Sequence, residues 1–182
     1  MENSFEQSKL VFEKMQIEIN KLNINCYVMP SSNENSIPQL LIATDVDINN
    51  SPVIQLMFVD DLLQASDIKK DINSAFIVQF FAPINLKIYK ETIEAYRILG
   101  IFNRVCPIGF FGMSESEGAF FRYNFLSKEK AIDPRVLNET VQIITFFVKK
   151  LSAKLIDLVS GEKTYEIILD ELEKELSQVA TK

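Results

Sequence analysis

Residues 3–23 place Phe5, Phe12, Met15, Ile19 and Leu22 on one stripe at helical spacing, with Glu6, Lys9, Glu13 and Lys14 available for the wet side. The pattern predicts an amphipathic helix, capped by Asn3 or Ser4 and released at Asn23 or Asn25. The texture then changes to short runs rich in Val, Ile, Leu and Phe at 26–29, 39–46, 53–59 and 75–82. Turn-prone stretches at 30–35 and 47–52 separate the first three. Links this short suit antiparallel neighbours, because a parallel pair needs a crossover of about a dozen residues or more. Residues 60–74 fit either a short helical turn or a solvated loop.

Helical spacing returns over 86–104, with Ile88, Ile93, Tyr96, Leu99 and Ile101 or Phe102 apolar, and Cys106-Pro107 marks its end. Residues 108–113 and 119–126 read as a hairpin whose turn, 114–118, contains a glycine suited to positive φ at Gly118. In its second strand Phe121, Tyr123 and Phe125 alternate with Arg122 and Asn124, the period of a half-buried strand. Asp133-Pro134 then opens a long helix with a capping acid and a proline at the first helical position. Leu137, Val141, Ile144, Val148, Leu151, Leu155 and Leu158 form its heptad seam, and Val136, Ile143 and Phe147 widen the stripe. Beyond Ser160-Gly161 the stripe resumes in phase at Tyr165, Leu169, Leu172, Leu176 and Val179. Gly161 either ends one helix or bends a continuous one, and a glycine after the last apolar residue favours the end.

The fold expected is therefore α+β: an antiparallel sheet flanked by N-terminal and C-terminal helices. One domain spans 1–160, and 161–182 form an extra C-terminal helical extension.

Composition narrows the chemistry. With 47% hydrophobic residues in 182, the chain can fill a core and is not disordered. A formal charge of -6 argues against nucleic acid as a partner, since phosphate binding needs clustered Lys and Arg. Fourteen phenylalanines without a basic groove fill a core rather than stack bases. The longest apolar runs, 75–81 and 108–113, fall short of the roughly 20 residues of a membrane span. The N-terminal residues lack the pattern of a signal peptide, and Cys26 and Cys106 are then expected as reduced thiols in a cytoplasm.

The absence of histidine removes nucleophilic triads, His-ligated metals and Cys–His thiol chemistry. Both cysteines read as small buried hydrophobes. Asp45, Asp47 and Asn49 match three positions of a calcium loop, but Asn50 replaces its glycine and Leu56 its glutamate, so turn chemistry explains them. Asp60 and Asp61 read as a solvated loop entry. Gly109 and Gly112 make no phosphate cradle, for no helix or lysine follows; they mark a bulge or a close backbone approach. No metal or cofactor motif is found.

The segment Phe102-Asn103-Arg104-Val105-Cys106-Pro107-Ile108-Gly109-Phe110-Phe111-Gly112-Met113, followed by Phe121-Arg122-Tyr123, resembles the YbjN-like family and the wider type III secretion chaperone-like fold. The shared features are a helix ending in asparagine, a Pro-x-Gly step into a strand and an Arg-Tyr pair in the next strand; residues 75–81 resemble the preceding strand. The likeness in layout covers about residues 5–160, while its specific motifs occupy about thirty. The resemblance implies a regulatory or chaperone-like role, with related secretion chaperones binding partner polypeptides as dimers, and it brings no catalytic residue. The tail at 162–182 and the loop at 60–74 depart from the pattern.

Together these readings predict a non-catalytic protein-interaction module that binds a partner polypeptide or itself, without nucleic acid, membrane or cofactor. Its expected binding residues are Tyr165, Leu169, Leu172, Leu176 and Val179, whose seam must be covered by a partner or by the chain's own domain. A small-ligand-binding regulatory domain is the rival reading, and needs a pocket between sheet and helix. An enzyme would need distant carboxylates, such as Asp45 and Glu115, to converge.

Overall fold

The computed structural model of the chain describes residues 4–32, 37–43, 53–66, 75–84, 93–114 and 118–180, with side chains as far as Glu175. Its elements follow the order α1 (Ser4–Asn20), β1 (Cys26–Met29), β2 (Gln39–Ala43), β3 (Val53–Phe58), α2 (Val59–Ala65), β4 (Phe76–Ile84), α3 (Ile93–Val105), β5 (Phe110–Ser114), β6 (Gly118–Ser127), α4 (Pro134–Ser160) and α5 (Tyr165–Ala180). The strands form one sheet in the order β1-β2-β3-β4-β6-β5, and every neighbouring pair is antiparallel. The expected α+β architecture is the one observed. Among the described residues no helix is long and apolar enough to cross a membrane.

Side chains alternate across the sheet, so register assigns each residue to a face. The row Val28–Leu40–Leu56–Phe80–Tyr123 crosses five strands on the first face. Leu40, Leu56 and Phe80 in it are essentially fully buried. Phe12 and Ile19 of α1, Ile98 and Phe102 of α3 and the α4 seam Leu137–Val141–Ile144–Val148–Leu151–Leu155 cover this face and complete one core. Phe12 stacks on Phe58 of β3 with ring centroids 5.2 Å apart, and Phe102 meets Phe111 of β5 edge-on at 5.9 Å. Two expectations fail at the margin of the stripes. Val136 is half exposed while Thr140 and Lys154 are buried, and Ile93 and Tyr96 of α3 face outward while Ala95 and Ile98 face in.

Local chemistry sets the helix ends. The Asp133 carboxylate accepts from the backbone N–H of Arg135 (2.8 Å) and Pro134 follows at the first helical position. Gly161 takes φ 75, so α4 ends there and α5 turns back onto it. Ile168 and Leu172 of α5 join the common core. Around them Lys154 pairs with Glu171 and Glu175, Lys163 pairs with Asp157 (3.1 Å) and Glu171 (2.8 Å), and Lys150 pairs with Glu175 (3.0 Å). Hydrogen bonds from Lys154 and then Lys163 hold the Glu171 carboxyl down at about 2, and one from Lys150 lowers that of Glu175.

These depressed values fix the sign of a pH effect. The carboxylates favour the docked helix fully above their ordinary range near 4.5, and that contribution is lost as pH falls toward about 2. Amide hydrogen exchange is therefore expected to show α5 losing protection ahead of the α4 seam between those limits. Uniform protection across both helices on acidification would contradict it.

Candidate functional site

The second face of the sheet carries a different set of side chains. Its central row runs across all six strands through directly paired residues: Tyr27, Leu41, Gln55, Phe81, Arg122 and Phe110. Neighbouring rows add the pairs Gln79–Asn124, Ile77–Leu126 and Phe120–Gly112. None of these residues belongs to the common core. Tyr27, Phe110 and Leu126 are 61%, 45% and 69% exposed, large values for side chains of this size in a sheet. Some exposed apolar residues on the helices, such as Ile17 between Glu13, Lys14 and Lys21, stand among charges, and others such as Ile156 and Val159 form small pairs.

Arg122 lies on this face in β6, next to the edge strand β5, and is the only charged side chain in the six strands. Its guanidinium lies over two rings, 5.1 Å from the centroid of Phe120 and 5.5 Å from that of Phe81. The two rings lie side by side, 5.6 Å apart, and supply a cation–π attraction that removes water from one side of the group. Nε is buried and has no hydrogen-bond partner, and among the described residues no carboxylate pairs with the arginine. A buried donor left without an acceptor costs about 1–3 kcal/mol. The sheet thus holds a partly desolvated cation, fixed in place by aromatics and short of an acceptor.

Glycine builds the support. Gly112, opposite Phe120 on β5, leaves the space that the Phe120 ring occupies; a Cβ there would stand 2.5 Å from the ring. Phe110 closes the other side edge-on at 6.2 Å. Gly109 has φ 65, and its backbone approaches β6 so closely that a Cβ would lie 2.6 Å from the Arg122 carbonyl oxygen. The two glycines therefore mark close approach, as their strand setting indicates.

The sheet edges are served by helix side chains. Asn103 near the end of α3 accepts from the Phe111 N–H (2.6 Å) and donates to the Phe111 carbonyl (3.0 Å), occupying outward groups of β5. At the opposite edge Gln16 of α1 donates to the Cys26 carbonyl (2.8 Å). Strand addition is thereby opposed at both ends, which leaves the face.

The residues singled out from sequence fall elsewhere. Leu172 is buried and Tyr165 and Leu169 are half-buried against the chain's own core, with Arg97 over the Tyr165 ring at 5.7 Å. The side chains of Leu176 and Val179 lie outside the described residues, as do Asp45, Asp47, Asn49 and Glu115. Asp60 and Asp61 are not a solvated loop entry. They lie in the first turn of α2; Asp60 accepts from the Ile77 N–H (2.9 Å), and Asp61 is completely buried.

Asp61 forms a four-part cluster. It pairs with Lys130 (2.7 Å) and accepts from the hydroxyls of Ser4 (2.9 Å) and Ser8. Lys130 also donates to the Ser4 hydroxyl (2.9 Å) and carbonyl (3.1 Å), so its donors are satisfied. A serine–lysine pair hydrolyses bonds when a neutral amine takes the hydroxyl proton at an accessible serine. Here the amine is bound to a carboxylate and buried with it, so the cluster ties α1, α2 and the entry to α4 together.

Burial pushes the Cys26 thiol up to about 11, and burial, opposed by a hydrogen bond to the Ile108 carbonyl, raises that of Cys106. Neither is activated as a nucleophile. Among the described residues no group of three His, Cys, Asp or Glu is placed to hold a metal. An open depression of about 520 Å³ at the α1–β1 turn is lined by Asn20, Asn23, Ile24, Asn25 and Cys26.

A scan against models of known protein families finds no match. A search of the curated proteins likewise finds none.

Proposed function

We propose that this chain is a non-catalytic protein-interaction module, chaperone-like or regulatory, whose binding surface is the second face of the sheet. The observation that carries this reading is the unbroken row from Tyr27 to Phe110, aromatic and aliphatic at four of its six positions and including an arginine whose buried Nε has no acceptor among the described residues. A monomer gains nothing by holding such a row against water, whereas a partner polypeptide covering it would remove apolar area and supply an acceptor. The resemblance of the 102–113 and 121–123 segments to the YbjN-like family and the type III secretion chaperone-like fold supports the same reading. The helical tail is a poorer candidate: Ile168 and Leu172 already serve the core, so deleting α5 would strip packing from α4.

The test places a photoactivatable cross-linking side chain at Tyr27 or Leu126 and, as control, at exposed Glu139 on α4. Irradiation in the native cells is expected to join a second polypeptide to the first two positions and not to the third. Leu126→Ser, at a residue 69% exposed, should leave the urea midpoint unchanged and abolish the cross-link at Tyr27. Equal cross-linking at all three positions, or none at Tyr27 and Leu126, would refute the assignment.

A further inference from the structure

We infer that the α4–α5 hairpin opens at Gly161 into one continuous helix, and that two copies of the chain then exchange α5, each docking the other's tail on its own α4. This concerns a different surface from the sheet face and does not rest on that reading.

Phase is the first observation. Leu151, Lys154 and Leu158 of α4 and Tyr165, Ile168 and Leu172 of α5 are all buried or half-buried. The five apolar ones belong to the common core or pack against it. Counted along the chain, they fall at steps of three, four, three, four, three and four through Gly161. That is the spacing of one side of a single helix. A hairpin asks for no such agreement, because after a turn either helix can be rotated to present its apolar side. The stripe is continuous in a form of the chain without the turn.

Charge is the second. Lys150 meets Glu175 (3.0 Å) and Lys154 meets Glu171. In these pairs α4 supplies the cations and α5 the anions, so α5 of one copy fits α4 of another as well as its own. Both pairs share a midpoint between residues 162 and 163, inside the turn. Two straight helices laid antiparallel about that midpoint regain each pair between copies, and Ile168 and Leu172 regain their cover. What opening gives up is local to the turn. It comprises the Lys163 ion pairs with Asp157 and Glu171 and the hydrogen bond from the Lys163 N–H to the Asp157 carbonyl (3.1 Å).

Gly161 sets the balance. It takes φ 75 in the hairpin, and a methyl added there would meet nothing within 4 Å. A straight helix needs negative φ at this position, where alanine is the better residue. Alanine therefore penalises the hairpin and favours the exchanged pair without disturbing any packing.

The experiment is analytical ultracentrifugation of the full chain over a concentration series. Gly161→Ala should raise the dimerisation constant about a hundredfold over wild type, about tenfold for each of two hinges. Adding Glu166→Pro should abolish that gain. Position 166 is exposed and lies in the first turn of α5, where proline is tolerated, but it falls in the interior of the continuous helix. Exchange itself is read by charge reversal in the Gly161→Ala chain. Lys150→Glu with Lys154→Glu, and Glu171→Lys with Glu175→Lys, should each stay monomeric, and an equal mixture of the two should form a dimer holding one of each. A Gly161→Ala chain that dimerises no better than wild type, a dimer that survives Glu166→Pro, or a mixture no more dimeric than its parts would each overturn the inference.

Discussion

Replacing Lys130 by methionine is expected to lower the unfolding free energy by about 3–5 kcal/mol. The lysine and Asp61 expose only 3% and 0% of their side chains, so removing the cation leaves a carboxylate buried with two serine hydroxyls and nothing of opposite sign. Methionine keeps the length of the aliphatic stem but removes the ammonium, and with it the cation–π contact to the Phe58 ring 5.2 Å from the lysine nitrogen. The loss therefore reports the ammonium with its ion pair and hydrogen bonds more than volume. The double replacement Asp61→Leu with Lys130→Met should recover most of it, because buried ion pairs roughly break even against apolar groups of similar size. Urea unfolding of the two single variants and the double checks this as a mutant cycle. Single variants at the wild-type midpoint would show that the pair is not buried in solution. A double variant as poor as the singles would show that Ser4 and Ser8 depend on the carboxylate.

The same cluster shows why some of this molecule was legible in its sequence and some was not. The seam of α4 and its boundaries could be read because their causes are local: a stripe that must face a sheet, an acid and a proline at one end, a glycine at the other. Asp61 could not. Whether a carboxylate is solvated or buried turned on Lys130, 69 residues away, and on two serines of α1 that look like ordinary polar positions. Position 8 interrupts the apolar stripe of α1, and the fold uses that interruption to point a hydroxyl inward. Arg122 lies between these cases. Alternation along β6 places it opposite Phe121 and Tyr123, which is readable. Its aromatic flanks are Phe81, brought by register from another strand, and Phe120, held down by Gly112; neither relation is visible in spacing. The tail illustrates the remaining limit. Periodicity says that the stripe of α5 must be covered but not by what, and the most buried residue of that helix, Ile168, stands beside the expected seam instead of in it. Salt bridges from Lys154 and Lys163 to Glu171 and Glu175 accompany this orientation, a relation across the turn that the stripe alone does not show.

Gly109→Ala is expected to cost about 2–4 kcal/mol, from two sources that can be separated. At φ 65 an L-residue pays about 1–2 kcal/mol for the left-handed conformation. The added methyl would also stand 2.6 Å from the Arg122 carbonyl oxygen and 2.6 Å from the Phe121 ring. Neither neighbour yields easily. The carbonyl belongs to the β6 backbone beside its partner Phe110, and the ring is fully buried against Phe111 at a centroid distance of 4.9 Å. Asparagine distinguishes the terms, because it tolerates positive φ but carries the same Cβ. If collision matters, Gly109→Asn should remain within about 1 kcal/mol of Gly109→Ala; if conformation alone matters, asparagine should approach glycine. Gly161 supplies the internal comparison: it has φ 75, and a methyl added there would meet nothing within 4 Å. There alanine should lose only the conformational term, and asparagine almost nothing, in the same urea measurement. An alanine at 109 that unfolds at the wild-type midpoint would mean that β5 can move away from β6, and that the packing of Phe120 against Gly112 beside Arg122 is looser than its geometry requires.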